Sequence, residues 1–218
     1  MGGLSDKQKE KIQKKIDEEL EFADYAHDVH RNYAAEVAAE GDIDWARELF
    51  SKALETISEH YDPLDAKRLI QETMYESIQD ADWALTLGSE ILGDPNVSDQ
   101  DKLAQAEFMI NELDKVQDGK AIMDQLAETS ADGQALSNMA RTVFYGTDDA
   151  DTTRKILKRI GDVCSDPWEI FDAAHTANDT LEDKDLVNWL CDKSLEAAKG
   201  TEDEEGMTDS VADLCSNL

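Results

Sequence analysis

The sequence predicts an all-α fold, an array of about five helical hairpins, on three observations. Residues Gly41–Glu55 recur at Glu182–Glu196, 141 positions later, with Asp, Asp, Leu, Lys, Leu and Glu in register. A unit that recurs along a chain buries its core between neighbouring copies and not around one central site. The three prolines, Pro63, Pro95 and Pro167, each follow an Asp in a break between helical stretches. That is the pattern of an N-cap followed by a first helical residue, where a missing N–H costs nothing. No alternating run of β-branched and aromatic residues bounded by turn pairs occurs, so strands are not expected.

Residues 1–40 read as a long N-terminal helix with a basic start that leads into the first repeat. Ser5-Asp6-Lys7-Gln8 is a capping-box pattern, and no Gly or Pro follows until Gly41. Ile12, Ile16, Leu20, Ala23, Ala26, Val29, Tyr33 and Val37 recur at threes and fours along it. A single helix of that length would run to roughly 50 Å at about 1.5 Å per residue, so two nearly continuous helices with a break near Asp24–His30 are the alternative.

Residues 41–199 read as the hairpin repeats. An Asp-x-Asp element opens a helix at Asp42-Ile-Asp44, Asp80-Ala-Asp82, Asp149-Ala-Asp151 and Asp183-Lys-Asp185, with Gln117-Asp118-Gly119 as a weaker fifth. The second Asp of each pair is the expected N-cap, its carboxylate accepting from first-turn N–H groups. The markers that follow, Trp45, Trp83, Ala121, Thr152 and Leu186, are 38, 38, 31 and 34 positions apart, the length of a helix-turn-helix repeat. Residues 200–218 read as an acidic spacer, Thr201–Gly206, and a short capping helix with Met207, Val211, Leu214 and Leu218 on one stripe.

Residues 30–63 resemble a tetratricopeptide repeat. Ala34, Ala46 and Ala53 meet the small positions of that family, Gly41-Asp42 its turn, Phe50 its second-helix aromatic, Leu54 the following apolar position and Pro63 its closing proline. Residues 134–161 keep Leu136, Met139, Ala140 and Val143 in register, with Thr152 and Arg159 where the family has Ala. Residues 168–198 keep the second helix, with His175 where a small side chain is usual. The resemblance implies a right-handed α-solenoid and an adaptor that holds a peptide or partner helix in a groove lined by first helices. The family's carboxylate clamp of Lys, Asn and Arg has one counterpart here in Arg31, while Ala35 stands where an Asn is needed.

Charge bounds the partners. The chain of 218 residues carries a formal net charge of −30, yet its N-terminal stretch from Met1 to Lys15 holds five Lys against Asp6 and Glu10. Such a surface repels phosphate backbones, which argues against nucleic acid. It leaves two readings open, solubility or adaptation to a salty interior on one side and an acidic face that steers a basic or amphipathic partner on the other. No stretch approaches the roughly 20 apolar residues of a membrane-spanning helix, and no signal-peptide core is present, so a cytoplasmic protein without membrane contact is expected. Cys164, Cys191 and Cys215 form neither a disulfide framework nor a zinc ribbon.

Two Asp-x-x-His pairs, Asp24/His27 and Asp172/His175, put both side chains on one helix face, and His30 extends the first to a trio. Asp24, His27, His30 and His175 are thus the candidate ligands of an alternative reading as an Asp/His metal-binding helical protein. Chance pairs are expected among 51 acidic residues, and matching glutamates are missing. None of the Asp-x-Asp elements has the Gly and Glu spacing of an EF-hand, and the common nucleotide, hydrolase and protease signatures do not occur. The expected protein is therefore a non-enzymatic interaction scaffold without a cofactor. A structural, oligomer-forming subunit is the third reading, and the oligomeric state is not legible. Candidate partner-binding residues are Arg31, Trp168 as an aromatic anchor, and Arg154 and Lys158 from the basic island Arg154–Arg159. Compensation of a helix C-terminus is the other role open to that island.

Overall fold

The computed structural model describes residues 3–57 and 62–216. Among the described residues the fold is all-α, with twelve helices and no strand. The helices are α1 (Asp6–Leu20), α2 (Ala26–Ala39), α3 (Ile43–Glu55), α4 (Pro63–Ile78), α5 (Ala81–Leu92) and α6 (Asp99–Asn111). They continue with α7 (Val116–Thr129), α8 (Gly133–Thr147), α9 (Ala150–Val163), α10 (Pro167–Leu181), α11 (Lys184–Ala198) and α12 (Glu204–Ser216). The chain divides into two compact units, Met1–Asp101 and Lys102–Leu218, the boundary falling in the first turn of α6. Residues 1–40 hold two helices instead of one, and the break at Glu21–Tyr25 is a few residues ahead of the expected place.

Within each unit consecutive helices pack as pairs, α2 on α3, α4 on α5, α8 on α9 and α10 on α11, and first helices also pack on first helices, α2 on α4 and α8 on α10. A fixed burial register underlies this. In α8 the buried positions are Gly133, Leu136, Ser137, Met139, Ala140 and Val143. In α10 the matching places one repeat later are Pro167, Ile170, Phe171, Ala173, Ala174 and Ala177, and they are buried too. The small position that lets two helix backbones approach is therefore Ala140 and Ala174, both fully buried, and not His175, which is exposed. Second helices share their own register. Four residues past the N-cap lie Ala46, Ala84, Gly119, Thr153 and Val187, and all five are buried.

The turns that lead into α3, α5, α7, α9 and α11 are built the same way. A residue with positive φ, Gly41, Gln79, Asp114, Asp148 or Glu182, directly precedes the N-cap of the second helix. Four of those N-caps are aspartates, and the capping residue is the first Asp of each Asp-x-Asp pair, not the second. Asp42, Asp80, Asp149 and Asp183 each accept the N–H three residues on, from Trp45, Trp83, Thr152 and Leu186. The second Asp lies in the first turn, where the helix dipole favours an anion. α7 starts at Val116 behind Lys115, so its marker moves from Ala121 to Asp118 and the spacings become 38, 35, 34 and 34. Asp62 and Asp166 cap helices that open on Pro63 and Pro167. Pro95 instead sits in a turn, and α6 begins after Ser98, whose hydroxyl accepts the Asp101 N–H.

The aspartates that cap α3, α5, α9 and α11 also tie each of these helices to the one two before it. Oδ1 caps, and Oδ2 takes a cation from the preceding second helix: Lys9 to Asp42 at 2.7 Å and Arg47 to Asp80 at 2.5 Å in the first unit. In the second unit Lys120 pairs with Asp149, and Arg154 with Asp183 at 2.8 Å. Satisfying the helix end and the neighbouring cation with one carboxylate fixes the stagger of successive hairpins.

Candidate interaction surface

The first helices of the second unit turn their buried register inward and leave one stripe outside. On α8 the stripe is Gln134, Asn138, Arg141 and Tyr145, and on α10 it is Trp168, Asp172, His175 and Asp179, all exposed. Steps of four, three and four keep each set on one helix face, and the two sets correspond position for position, Gln134 with Trp168 and Tyr145 with Asp179. Lateral hydrogen bonds tie neighbouring first helices together. Arg141 Nη2 donates to Thr176 Oγ1 at 2.9 Å, and one repeat earlier Thr142 Oγ1 donates to Glu107 Oε1 at 3.0 Å.

Two large aromatics on this face are open to solvent, Tyr145 at 71% and Trp168 at 42% exposure, in a chain whose other apolar side chains are mostly buried. Trp168 meets Phe171 edge-on at 6.3 Å, and Phe171 meets His175 at 4.8 Å, so the α10 aromatics hold one another in place. The Trp168 Nε1–H donates to Asp203 Oδ1 at 2.9 Å, a contact from the acidic spacer. The surface thus offers flat aromatic faces beside the carboxylates of Asp172 and Asp179, which suits a cation carried on an apolar stem.

The other expected site residues are placed as follows. Arg31 lies on α2 and pairs with Asp28 at 2.9 Å, one turn back. Arg154 is in the first turns of α9, not near its C-terminus, and is occupied by Asp183 and by Asp151 at 3.1 Å. The Asp183 carboxylate, first among its neighbours, raises the guanidinium above its usual value. Lys158 is exposed and borders a cavity of about 350 Å³ between α7 and α9, lined also by Asp124, Glu128, Lys155, Arg159 and Asp162. In that cavity Arg159 Nη2 donates to the Glu128 carbonyl at 3.3 Å, which satisfies the end of α7.

Asp24 is exposed in the break between α1 and α2, whereas His27 and His30 are buried on α2. His27 and His30 occupy the register positions held by Gly133 and Leu136 in α8 and by Pro167 and Ile170 in α10, so they face the packed side of the helix. Burial, then Lys52, lowers the His30 pKa, with Glu55 opposing. His175 lies on α10 in the second unit. Among the described residues no three His, Cys, Asp or Glu side chains converge in a way that could hold a metal ion. The cysteines are free thiols, and burial, then the neighbouring Cys215, pushes Cys191 up to about 12.

Sequence reasoning singles out Trp168 and puts Asp172 and His175 on one helix face, but passes over Tyr145, Asn138, Arg141 and Asp179. The signal was the identical spacing of the two exposed stripes, 34 positions apart like Thr152 and Leu186. The cation ladder was equally readable, since Arg47 and Arg154 each stand five residues past a capping Asp. Among the described residues no helix is long and apolar enough to cross a membrane. No family model matches the chain, and no curated protein or solved structure matches it.

Proposed function

We propose that the chain is a non-enzymatic, cytoplasmic scaffold of tetratricopeptide-like hairpins that binds a basic or amphipathic peptide or helix. The hairpins of this reading are five, α2–α3, α4–α5, α6–α7, α8–α9 and α10–α11, stacked with the family's right-handed twist within each unit. The observation that carries it is the exposed first-helix face of the second unit, with Tyr145 and Trp168 open beside Asp172 and Asp179 in one shared register. A tetratricopeptide array presents its ligand groove on that set of helices. The net charge of −30 adds long-range attraction for a cationic segment and excludes acidic competitors.

Selection from a displayed library of random peptides against the purified chain tests the reading. Enriched peptides are expected to alternate Lys or Arg with apolar residues. They should lose at least tenfold in affinity to a Tyr145→Ser, Asp172→Lys double variant, in which both side chains are exposed and the fold is left alone. Enrichment of acidic peptides, or binding indifferent to that variant, overturns it.

A further inference from the structure

α1 and α12 follow the registers of a second and a first helix, but with charge where the hairpins have apolar contact. α1 aligns on α3 so that Lys9 superposes on Arg47, the two cations that reach Asp42 and Asp80. Ile12 then matches Phe50 and is buried like it. The remaining positions where α3 buries Trp45, Ala46, Leu49 and Ala53 hold Lys7, Gln8, Lys11 and Lys15, all exposed.

α12 aligns on α10 in the same way. Met207, Val211 and Leu214 match Ala173, Ala177 and Thr180 and are buried like them. Where α10 buries Ile170, Phe171 and Ala174, however, α12 exposes Glu204, Glu205 and Thr208. In α3 and α10 these positions lie in helices that pack chiefly on their hairpin partners, α2 and α11. The second-helix register of α1 is therefore open and basic, and the first-helix register of α12 is open and acidic.

The lysines are not there for the helix that carries them. Lys7, Lys9 and Lys11 crowd the first turns of α1, where the helix dipole favours acids, and its last turn has no basic residue. With the Arg154–Arg159 island they are a basic exception in a molecule of net charge −30.

We propose that α1 of one copy docks on α12 of a second copy, second-helix register against first-helix register, with Lys7, Lys11 and Lys15 facing Glu204 and Glu205. The contact joins two different faces, so it is heterologous and propagates head to tail into rings or open chains. It does not rest on peptide binding to the α8–α10 face, which it adjoins where Trp168 bonds Asp203. Acidic bodies repel one another over long range, whereas paired charges at contact are screened less. Association is therefore favoured near physiological salt, where the Debye length is about 8 Å, over low salt.

Sedimentation of the full chain over a range of concentrations tests the proposal. The expected result is a mass that rises with concentration past that of one chain. Two charge-reversed variants make the test specific: Lys7→Glu, Lys11→Glu, Lys15→Glu on α1, and Glu204→Lys, Glu205→Lys on α12. All five side chains are exposed, but Glu204 accepts the Gly200 N–H and both glutamates lie in the first turn of α12, so association is compared only between variants whose circular dichroism keeps the native helicity. Each variant alone has like charges on both faces and is expected to associate at least tenfold more weakly than the native chain. Mixed in equal amounts they present opposite faces and should associate again. A native mass that stays at one chain, variants that associate as well as the native chain, or a mixture no heavier than its components overturns it.

Discussion

The two units repeat the same hairpin with different spacing. In the second unit the N-caps Lys115, Asp132, Asp149, Asp166 and Asp183 are evenly spaced, each 17 positions from the next. In the first unit the intervals from Asp42 to Asp62 and from Asp62 to Asp80 are 20 and 18. The first unit's period, Asp42 to Asp80, is thus longer than the second unit's, Asp149 to Asp183, and most of the excess lies between Asp42 and Asp62. The cation ladder keeps its geometry in both, because it depends on where second helices start relative to one another and not on the length of chain between them. Loop length costs little, each doubling adding only about 0.6 kcal/mol of closure entropy. What the repeat keeps is the start of each second helix, with its left-handed turn residue, its N-cap and a buried side chain four residues on.

The largest expected effects come from core positions that match between units. Phe50 and Leu157 both sit eight residues past an N-cap and are fully buried. Phe50→Ala should cost about 3–5 kcal/mol and Leu157→Ala about 2–5 kcal/mol. Trp45 and Trp83 report the first unit, and Trp168 and Trp189 the second, in fluorescence-monitored urea unfolding. A loss under about 1 kcal/mol at either position would break the equivalence of the two registers.

Small positions give the next test. Ala46 and Gly119 are equivalent, yet only α7 needs glycine there, since Thr153 and Val187 fill the same place in α9 and α11. A Cβ on Gly119 would lie 2.6 Å from the Ala106 carbonyl oxygen and 2.7 Å from Ile110 Cγ1. Placing the first unit's residue in the second, Gly119→Ala should cost about 1–3 kcal/mol even though alanine is the better helix former, and Ala46→Leu should cost a similar amount by overpacking α3. A denaturation midpoint raised by Gly119→Ala would mean that α6 and α7 stand further apart than described.

What was legible in the chain follows from which interactions are local. Caps, prolines and the three-and-four spacing of apolar residues act within one helix, so the all-α fold and the starts of α1, α4 and α10 can be read from neighbouring residues. The identity of the capping Asp could not, because both carboxylates of Asp42-Ile-Asp44 are within reach of a first turn. What selects Asp42 is the left-handed residue before it and Lys9 from another helix. Consensus side chains drew attention to residues 30–63, where Ala34, Ala46 and Phe50 match the tetratricopeptide pattern, while the regular period of that family lies in the second unit with fewer of its side chains. The exposed stripe of Tyr145 and Trp168 was obscured for the same reason, since a surface face has no apolar periodicity of its own and is defined only by what the opposite face buries.

The left-handed residue offers a smaller, two-sided test. Gly41 has φ 85° and Glu182 has φ 47° at the same point of their hairpins. A side chain in that region costs about 1–2 kcal/mol. Glu182→Gly should therefore stabilise the second unit by about 1 kcal/mol, after the larger unfolded-state entropy of glycine is set against the relief. Gly41→Glu should destabilise the first by a similar amount. Equal and opposite shifts in urea midpoint are expected, and shifts of the same sign would show that the two turns are not interchangeable.

The smallest effects, under about 1 kcal/mol for partly exposed ion pairs, separate the units by pH. In the first unit the buried His30 has a lowered pKa, so the unfolded chain takes up the proton first. Its contribution is intact above the model-peptide value of about 6.5 and declines as pH falls below it. In the second unit Lys120, then the Thr152 N–H, hold Asp149 down at about 2 against an ordinary value of 3.8. That carboxylate stabilises fully above 3.8, and the contribution is lost as pH falls from there to about 2. His30→Leu, which installs the apolar residue type of Leu136 and Ile170, should flatten the stability profile below about pH 6.5 without touching the acid limb. Lys120→Met should lower the stability of the second unit by a constant amount above pH 3.8 and flatten the loss between 3.8 and about 2, since less of the carboxylate's contribution is left to lose. Relief of self-repulsion on acidification is common to the native chain and both variants, so the differences between profiles carry the test. If His30→Leu changes the slope only below pH 3.8, or Lys120→Met leaves the slope between 3.8 and about 2 as it was, the assignment of these two proton-sensitive groups fails.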